Sequence, residues 1–161
     1  MVHIGFSTTN QLISRIIRFF TGSKVSHCFM LFELFEQAWV LEAGFFGISL
    51  KPLKKFQKSD TVVALVPVPL AEEDVARAMQ ALGEKYDFGG LLGSIFPLIG
   101  KWFKQKWKNP WNNSKALFCS EFCLKSLQEA GFPGADQLDP ASTTPQDLLD
   151  FLTAHYLNQG E

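Results

Sequence analysis

The chain has 161 residues, a length that suits one domain with a sizeable core. Hydrophobic residues make up 47% of it, with 16 phenylalanines, which excludes a disordered chain and leaves some apolar surface. The net charge of −1 supplies no global field for nucleic acid, and no stretch reaches the ~18 apolar residues of a membrane span.

The start, MVHIGFSTTNQ, has no basic segment followed by an apolar core and a small-residue cleavage site. With an odd number of cysteines, three, this reads as a reduced, cytoplasmic protein. Val2 to Ser7 forms a short apolar strand, with His3 as a surface or capping residue. Thr8, Thr9 and Asn10 offer N-caps for a helix over Gln11 to Phe20, which Gly22 ends.

Val25 to Leu34 is apolar on both alternating sets, with Val25, Phe29 and Leu31 on one and Cys28, Met30, Phe32 and Leu34 on the other. Such a strand is central and covered on both faces. His27 interrupts the first set. Ala38 to Ala43 is a second strand, in which Glu42 sits among apolar residues and needs a partner to offset its desolvation. A turn at Phe35-Glu36 makes residue 34 face 37 and 29 face 42, so Glu42 shares a face with His27 and lies diagonal to it. A slip of one residue would separate them.

Gly44 to Gly47 is a turn, and Ile48 to Leu53 a further short strand. The basic run Lys51, Lys54, Lys55 and Lys58 reads as a solvated loop. Thr61 to Val68 is a strand that Pro67 and Pro69 close, and Ala71 to Gly83 a helix with Glu72, Glu73 and Asp74 in its first turn. Tyr86-Asp87-Phe88-Gly89-Gly90 then leads into an apolar-basic insertion at about 89–111, in which Leu91 to Ile99 precedes KWFKQKWKNPW. That segment fits three roles: a membrane-interface contact, a flap over an apolar groove, or a packed insertion with solvated lysines.

Leu117 to Phe132, LFCSEFCLKSLQEAGF, is a helix with Cys119 in its first turn and Gly131 at its left-handed cap; Pro133 stops it from resuming. The positive end of the helix dipole favours a thiolate, the nucleophilic form of cysteine. Thr144 caps a final short helix with Pro145 at its first position, running to about His155, which is expected to be exposed.

Three polar groups stand out against apolar surroundings: Cys119, His27 and Glu42. Thiol catalysis needs this set: a nucleophile, a base that takes its proton, and a third group that fixes the ring tautomer. Without other support, a cysteine and a histidine are more often core residues. No Cys/His cluster has zinc spacing, so neither metal nor cofactor is expected.

The sequence resembles the circularly permuted branch of the NlpC/P60 papain-like superfamily, the YiiX/YaeF-like group. The resemblance covers most of the chain. It rests on GFST at 5–8, FTGSKVSHCFM around His27, VLEAG around Glu42, LGEKYDFGG around Tyr86, FCSEFCLKSL around Cys119, and TTPQDL at 143–148. The His strand precedes the Cys helix, as the permuted order requires. The resemblance implies an α+β fold over residues 1–161, an antiparallel sheet packed against helices, with Cys119 as nucleophile, His27 as base and Glu42 as the orienting residue. Tyr86 corresponds to a tyrosine that in relatives helps to stabilise the oxyanion. The insertion at 89–111 and the missing secretion signal depart from the family pattern.

The expected activity is a cysteine hydrolase that cleaves an amide bond, of peptide or peptidoglycan type, or an acyl bond through a thioacyl-enzyme. Lipid-directed acyl transfer and a non-catalytic lipid- or protein-binding module on the same fold are the alternatives. Expected partners are a peptide, a peptidoglycan fragment or an acylated small molecule, and no nucleic acid. Leu91 to Trp111 joins Tyr86 to Cys119, so it is expected to form an apolar wall or lid beside the cleft, with peripheral membrane contact as a second role.

Overall fold

The computed structural model describes residues 1–9, 23–44, 47–83 and 119–157. The helix expected over Gln11 to Phe20, Tyr86, and the segment Leu91 to Trp111 lie outside the described residues.

The protein is α+β. Five strands form one antiparallel sheet: β1 (Val2–Thr8), β2 (His27–Leu34), β3 (Gln37–Gly44), β4 (Gly47–Pro52) and β5 (Thr61–Val68), in the order β4-β3-β2-β1-β5. Among the described residues there are four α-helices: α1 (Leu53–Phe56), α2 (Glu72–Met79), α3 (Cys119–Glu129) and α4 (Pro145–Leu157). No helix among them is long and apolar enough to cross a membrane.

The strand expected from residue 25 is β2, which begins two residues later and occupies the middle of the sheet. Its alternation divides the core in two. Cys28, Met30 and Phe32 point to the main core, which includes Leu41 and Ala43 of β3, Phe122, Cys123, Leu124 and Leu127 of α3, and Leu148 and Leu152 of α4. Phe29 and Leu31 point the other way, to a smaller core with Val40 and Phe56. Neither face of β2 is left to water over these residues, which is why both of its alternating sets are apolar.

The β2–β3 hairpin pairs Leu34 with Gln37 and Met30 with Leu41. Its register is the one expected from a Phe35-Glu36 turn. Both turn residues have positive φ, 51° and 58°, as a type I′ turn requires. Neither is glycine or asparagine, and Phe35 is almost fully exposed. An L residue with a bulky side chain is disfavoured there by about 1–2 kcal/mol. Phe35→Asn combined with Glu36→Gly is therefore expected to stabilise the protein by about 1–2 kcal/mol, read as a higher urea midpoint at unchanged slope.

β5 spans Thr61 to Val68, the bounds expected, and holds Pro67 next to its end. β5 is an edge strand, and a proline with no N–H to give is tolerated where one side of the strand is unpaired. The helix expected over Ala71 to Gly83 stops at Met79. Beyond it the N–H groups of Gln80, Ala81 and Leu82 bond three residues back, and Gly83, with φ of 87°, donates its N–H to Ile48 O at 3.0 Å. That bond ties the end of the segment to β4.

The cysteine helix ends as its sequence requires. Gly131 has φ of 70°, its N–H bonds Gln128 O, and the N–H of Phe132 bonds Leu127 O, which is a Schellman cap. Gln128 then holds the following loop through Nε2, which donates to Ala135 O and Leu138 O at 2.8 and 2.9 Å. At the start of α4 the Thr144 hydroxyl accepts from the Asp147 N–H, and Asp147 accepts from the Thr144 N–H. His155 is not fully exposed as expected: it is half-buried, its ring 4.7 Å from that of Phe132.

Candidate active site

The site is assembled where β2 begins and α3 begins. Ser7 of β1 pairs with His27, and the Ser26 N–H donates to Ser7 O at 3.0 Å, which fixes the chain on entry to β2. The loop before it is held from α4. Gln146 Oε1 accepts from the Lys24 N–H and from the Ser23 hydroxyl, each at 3.1 Å. The same short motif, TTPQDL, therefore caps a helix with Thr144 and pins the approach to His27 with Gln146.

His27 lies on the smaller-core face of the sheet, where Phe29 and Phe56 have ring centroids 6.4 and 6.3 Å from its own. These two phenylalanines touch each other at 4.5 Å. Gly5 on the neighbouring strand makes the close approach possible, because a Cβ there would fall 2.2 Å from Phe29 Cζ. The aromatic shelf restricts the imidazole to few orientations.

His27 Nε2 donates to Glu42 Oε2 at 2.7 Å. The Cys119 side chain acts on the same ring, by hydrogen bonding and by charge. Glu42 is 5% exposed and is also paired through Oε1 with the ammonium of Lys51. The structure thus brings together Cys119, His27 and Glu42. Tyr86, the fourth residue proposed from the sequence, lies outside the described residues.

Lys51 is the member that the sequence reading missed. It belongs to β4, not to a solvated loop, and Lys54 and Lys55 lie in α1. Glu42 pairs with Ser49, so Lys51 is the diagonal neighbour on the same face. Strand alternation through Ile48, Ser49, Leu50 and Lys51 was the signal that could have separated it from the other lysines.

The electrostatics follow from these contacts. Cys119 is 6% exposed, yet its thiol titrates well below the ordinary range. The largest cause is a hydrogen bond from the Cys28 thiol; burial opposes it, and the hydrogen bond and charge of His27 outweigh that opposition together with Cys28. Burial alone would keep His27 neutral, but Cys119 and then Glu42 raise its pKa well above the usual value. Burial likewise pushes Glu42 up, while His27 and then Lys51 bring its carboxyl below the usual range. These contacts shift each group toward its charged form, Cys119 toward thiolate, His27 toward imidazolium and Glu42 toward carboxylate.

Among the described residues no group of three His, Cys, Asp or Glu side chains is arranged to hold a metal ion. No protein-family model matches the chain, and no curated protein matches it.

Removing Lys51 gives a pH-dependent expectation. The folded pKa of Glu42 is depressed, so this group adds stability above its unfolded value of about 4.3, and that stability is lost as pH falls through the folded value. Lys51→Met takes away one of the depressing causes and raises the folded pKa. The variant should be less stable at neutral pH by about 1–3 kcal/mol, because one oxygen of a buried carboxylate loses a charged donor. The gap from wild type should shrink on acidification, as Glu42 protonates in both. Urea midpoints measured from neutral pH down to about pH 3 check this; a gap independent of pH would place the effect elsewhere.

Proposed function

We propose that this protein is a cysteine hydrolase acting on an amide or acyl bond through a thioacyl-enzyme. One observation carries the reading: the Cys119 side chain, at the first turn of α3, is hydrogen-bonded to a His27 whose Nε2 is held by a buried carboxylate. A core cysteine needs none of this. The arrangement supplies nucleophile, proton carrier and orienting group in that sequence.

In this reading Cys119 Sγ attacks the carbonyl carbon as a thiolate, its proton already on His27. The tetrahedral oxyanion sits at the N-terminus of α3, where the Cys119 backbone N–H is one of its donors and Tyr86 is the proposed second. His27 gives its proton to the leaving amine or alcohol. It then takes one from water, which attacks the thioester and frees the acid and Cys119. Glu42 holds the Nε2–H tautomer throughout and stabilises the imidazolium. Lys51 keeps Glu42 ionised.

The family proposed is the circularly permuted NlpC/P60 branch of the papain-like superfamily. The motifs around Cys119, His27 and Glu42 support it, as does an antiparallel sheet whose His strand precedes the Cys helix. Substrates of that class would be peptides, peptidoglycan-type amides or acylated small molecules. The test is incubation with a panel of peptidoglycan peptides and acyl lipids. Turnover by wild type and its loss in Cys119→Ser is expected. Turnover that survives in Cys119→Ser would remove Cys119 as the nucleophile, and no turnover on any member of the panel would favour a binding module on the same fold.

A further inference from the structure

We propose that Cys28 is a resolving thiol: a peroxide oxidises Cys119 to its sulfenic acid, and Cys28 condenses with it to a Cys28–Cys119 disulfide that closes the site reversibly. The proposal rests on the reading of Cys119 as a reactive thiolate. It is carried by a cluster that sets a second thiol beside the nucleophile. All three cysteines of the chain are free and buried, and all three belong to the main core where β2 meets the start of α3. Burial, and then hydrogen bonding with the Cys119 and Cys123 thiols, push the Cys28 thiol up, so both neighbours act on its sulfur. A core filled for packing alone has no reason to set a second thiol against the nucleophile, since alanine or valine would serve.

The chemistry divides between the two sulfurs. The Cys119 thiolate attacks one peroxide oxygen and the O–O bond breaks. Sulfur is oxidised to Cys119–SOH, peroxide is reduced, and the departing hydroxide takes a proton to become water. The Cys28 sulfur then attacks the Cys119 sulfur, the S–O bond breaks, and hydroxide leaves with the Cys28 proton as a second water. Two thiols and one peroxide thus give one disulfide and two waters. Cys28 sits at 0% exposure, and burial together with its two thiol neighbours keeps it protonated. It is therefore not oxidised first, and it acts only when a sulfenic acid forms beside it. A dithiol reductant reverses the step by thiol–disulfide exchange and restores both thiols. The benefit to the site is that Cys119 is held at a reversible oxidation state and does not proceed to the sulfinic acid.

The test uses the full chain and hydrogen peroxide, with intact mass, peptide mapping and Cys119 alkylation by iodoacetamide before oxidation, after it, and after dithiothreitol. Wild type should lose two hydrogens in mass, map to Cys28–Cys119, and recover about nine-tenths or more of its alkylation on reduction. Cys123→Ala should do the same. Cys28→Ala, checked for folding by its thermal transition, should gain two oxygens on Cys119 and recover about one-tenth or less. A wild type that gains two oxygens on Cys119, or whose disulfide maps to Cys28–Cys123, overturns the proposal. The alkylation measured before peroxide separates the two readings: an unreactive Cys119 defeats the hydrolase, whereas a reactive Cys119 that overoxidises defeats only the resolving role of Cys28.

Discussion

His27→Ala is expected to slow iodoacetamide alkylation of Cys119 at about pH 6.5 by roughly 10- to 100-fold. The thiol is low in pKa because of what surrounds it, and His27 supplies both a hydrogen bond and a positive charge. Burial acts against the thiolate and remains in the variant. An ordinary thiol with a pKa near 8.5 is about 1% ionised at about pH 6.5, so loss of the cation removes about two orders of magnitude from the reactive fraction. A thiolate of higher pKa is intrinsically more nucleophilic, with a Brønsted slope of about 0.4–0.5, which recovers part of the loss. The Cys28 hydrogen bond also survives, so the decline should stop short of a buried, isolated thiol. An alkylation rate unchanged by His27→Ala would mean that the helix terminus and Cys28 suffice, and His27 would lose its place as the base.

Gly5→Ala is expected to be the most damaging small substitution in the sheet, at about 1–3 kcal/mol or somewhat more. The added Cβ would lie 2.2, 2.3 and 2.9 Å from three carbons of the Phe29 ring. That ring is fully buried and packed on Phe56, so it cannot swing into solvent. For a chain of this size the loss corresponds to a fall in Tm of about 2–12 °C. The second effect is on the site, because Phe29 and Phe56 are the shelf beside His27. Trimming the ring in the double variant Gly5→Ala, Phe29→Leu should recover part of the loss, giving a coupling between the two positions. Strict additivity would show that the clash relaxes elsewhere.

Much of this architecture was legible because local chemistry and global packing agree. The double apolar alternation of 28–32 could be satisfied only by a strand covered on both faces, and β2 is that strand. Two residues at Phe35-Glu36 set the hairpin register, and the register alone placed Glu42 beside His27. Gly131 and Thr144 marked helix ends by conformations that few other residues supply as well. The residues that were not legible depend on neighbours far along the chain. Lys51 was read by its basic sequence neighbours, while its role comes from the strand opposite. Cys28 looked like any small core residue until α3 was placed over it. Gln146 reaches a loop more than a hundred residues away, and no local pattern announces that.

The central claim is that Cys119 takes an acyl group and releases it to water. Intact-mass measurement of the wild-type chain mixed with an activated ester, p-nitrophenyl acetate, at about pH 6.5 tests it most directly, because an ordinary thiol is largely protonated there. One acetyl group should appear on Cys119, stay while ester remains, and disappear once the ester is consumed. A chain left unacylated under these conditions, one acylated at Cys28 or Cys123, or one whose acetyl group remains on Cys119 after the ester is gone would contradict the account.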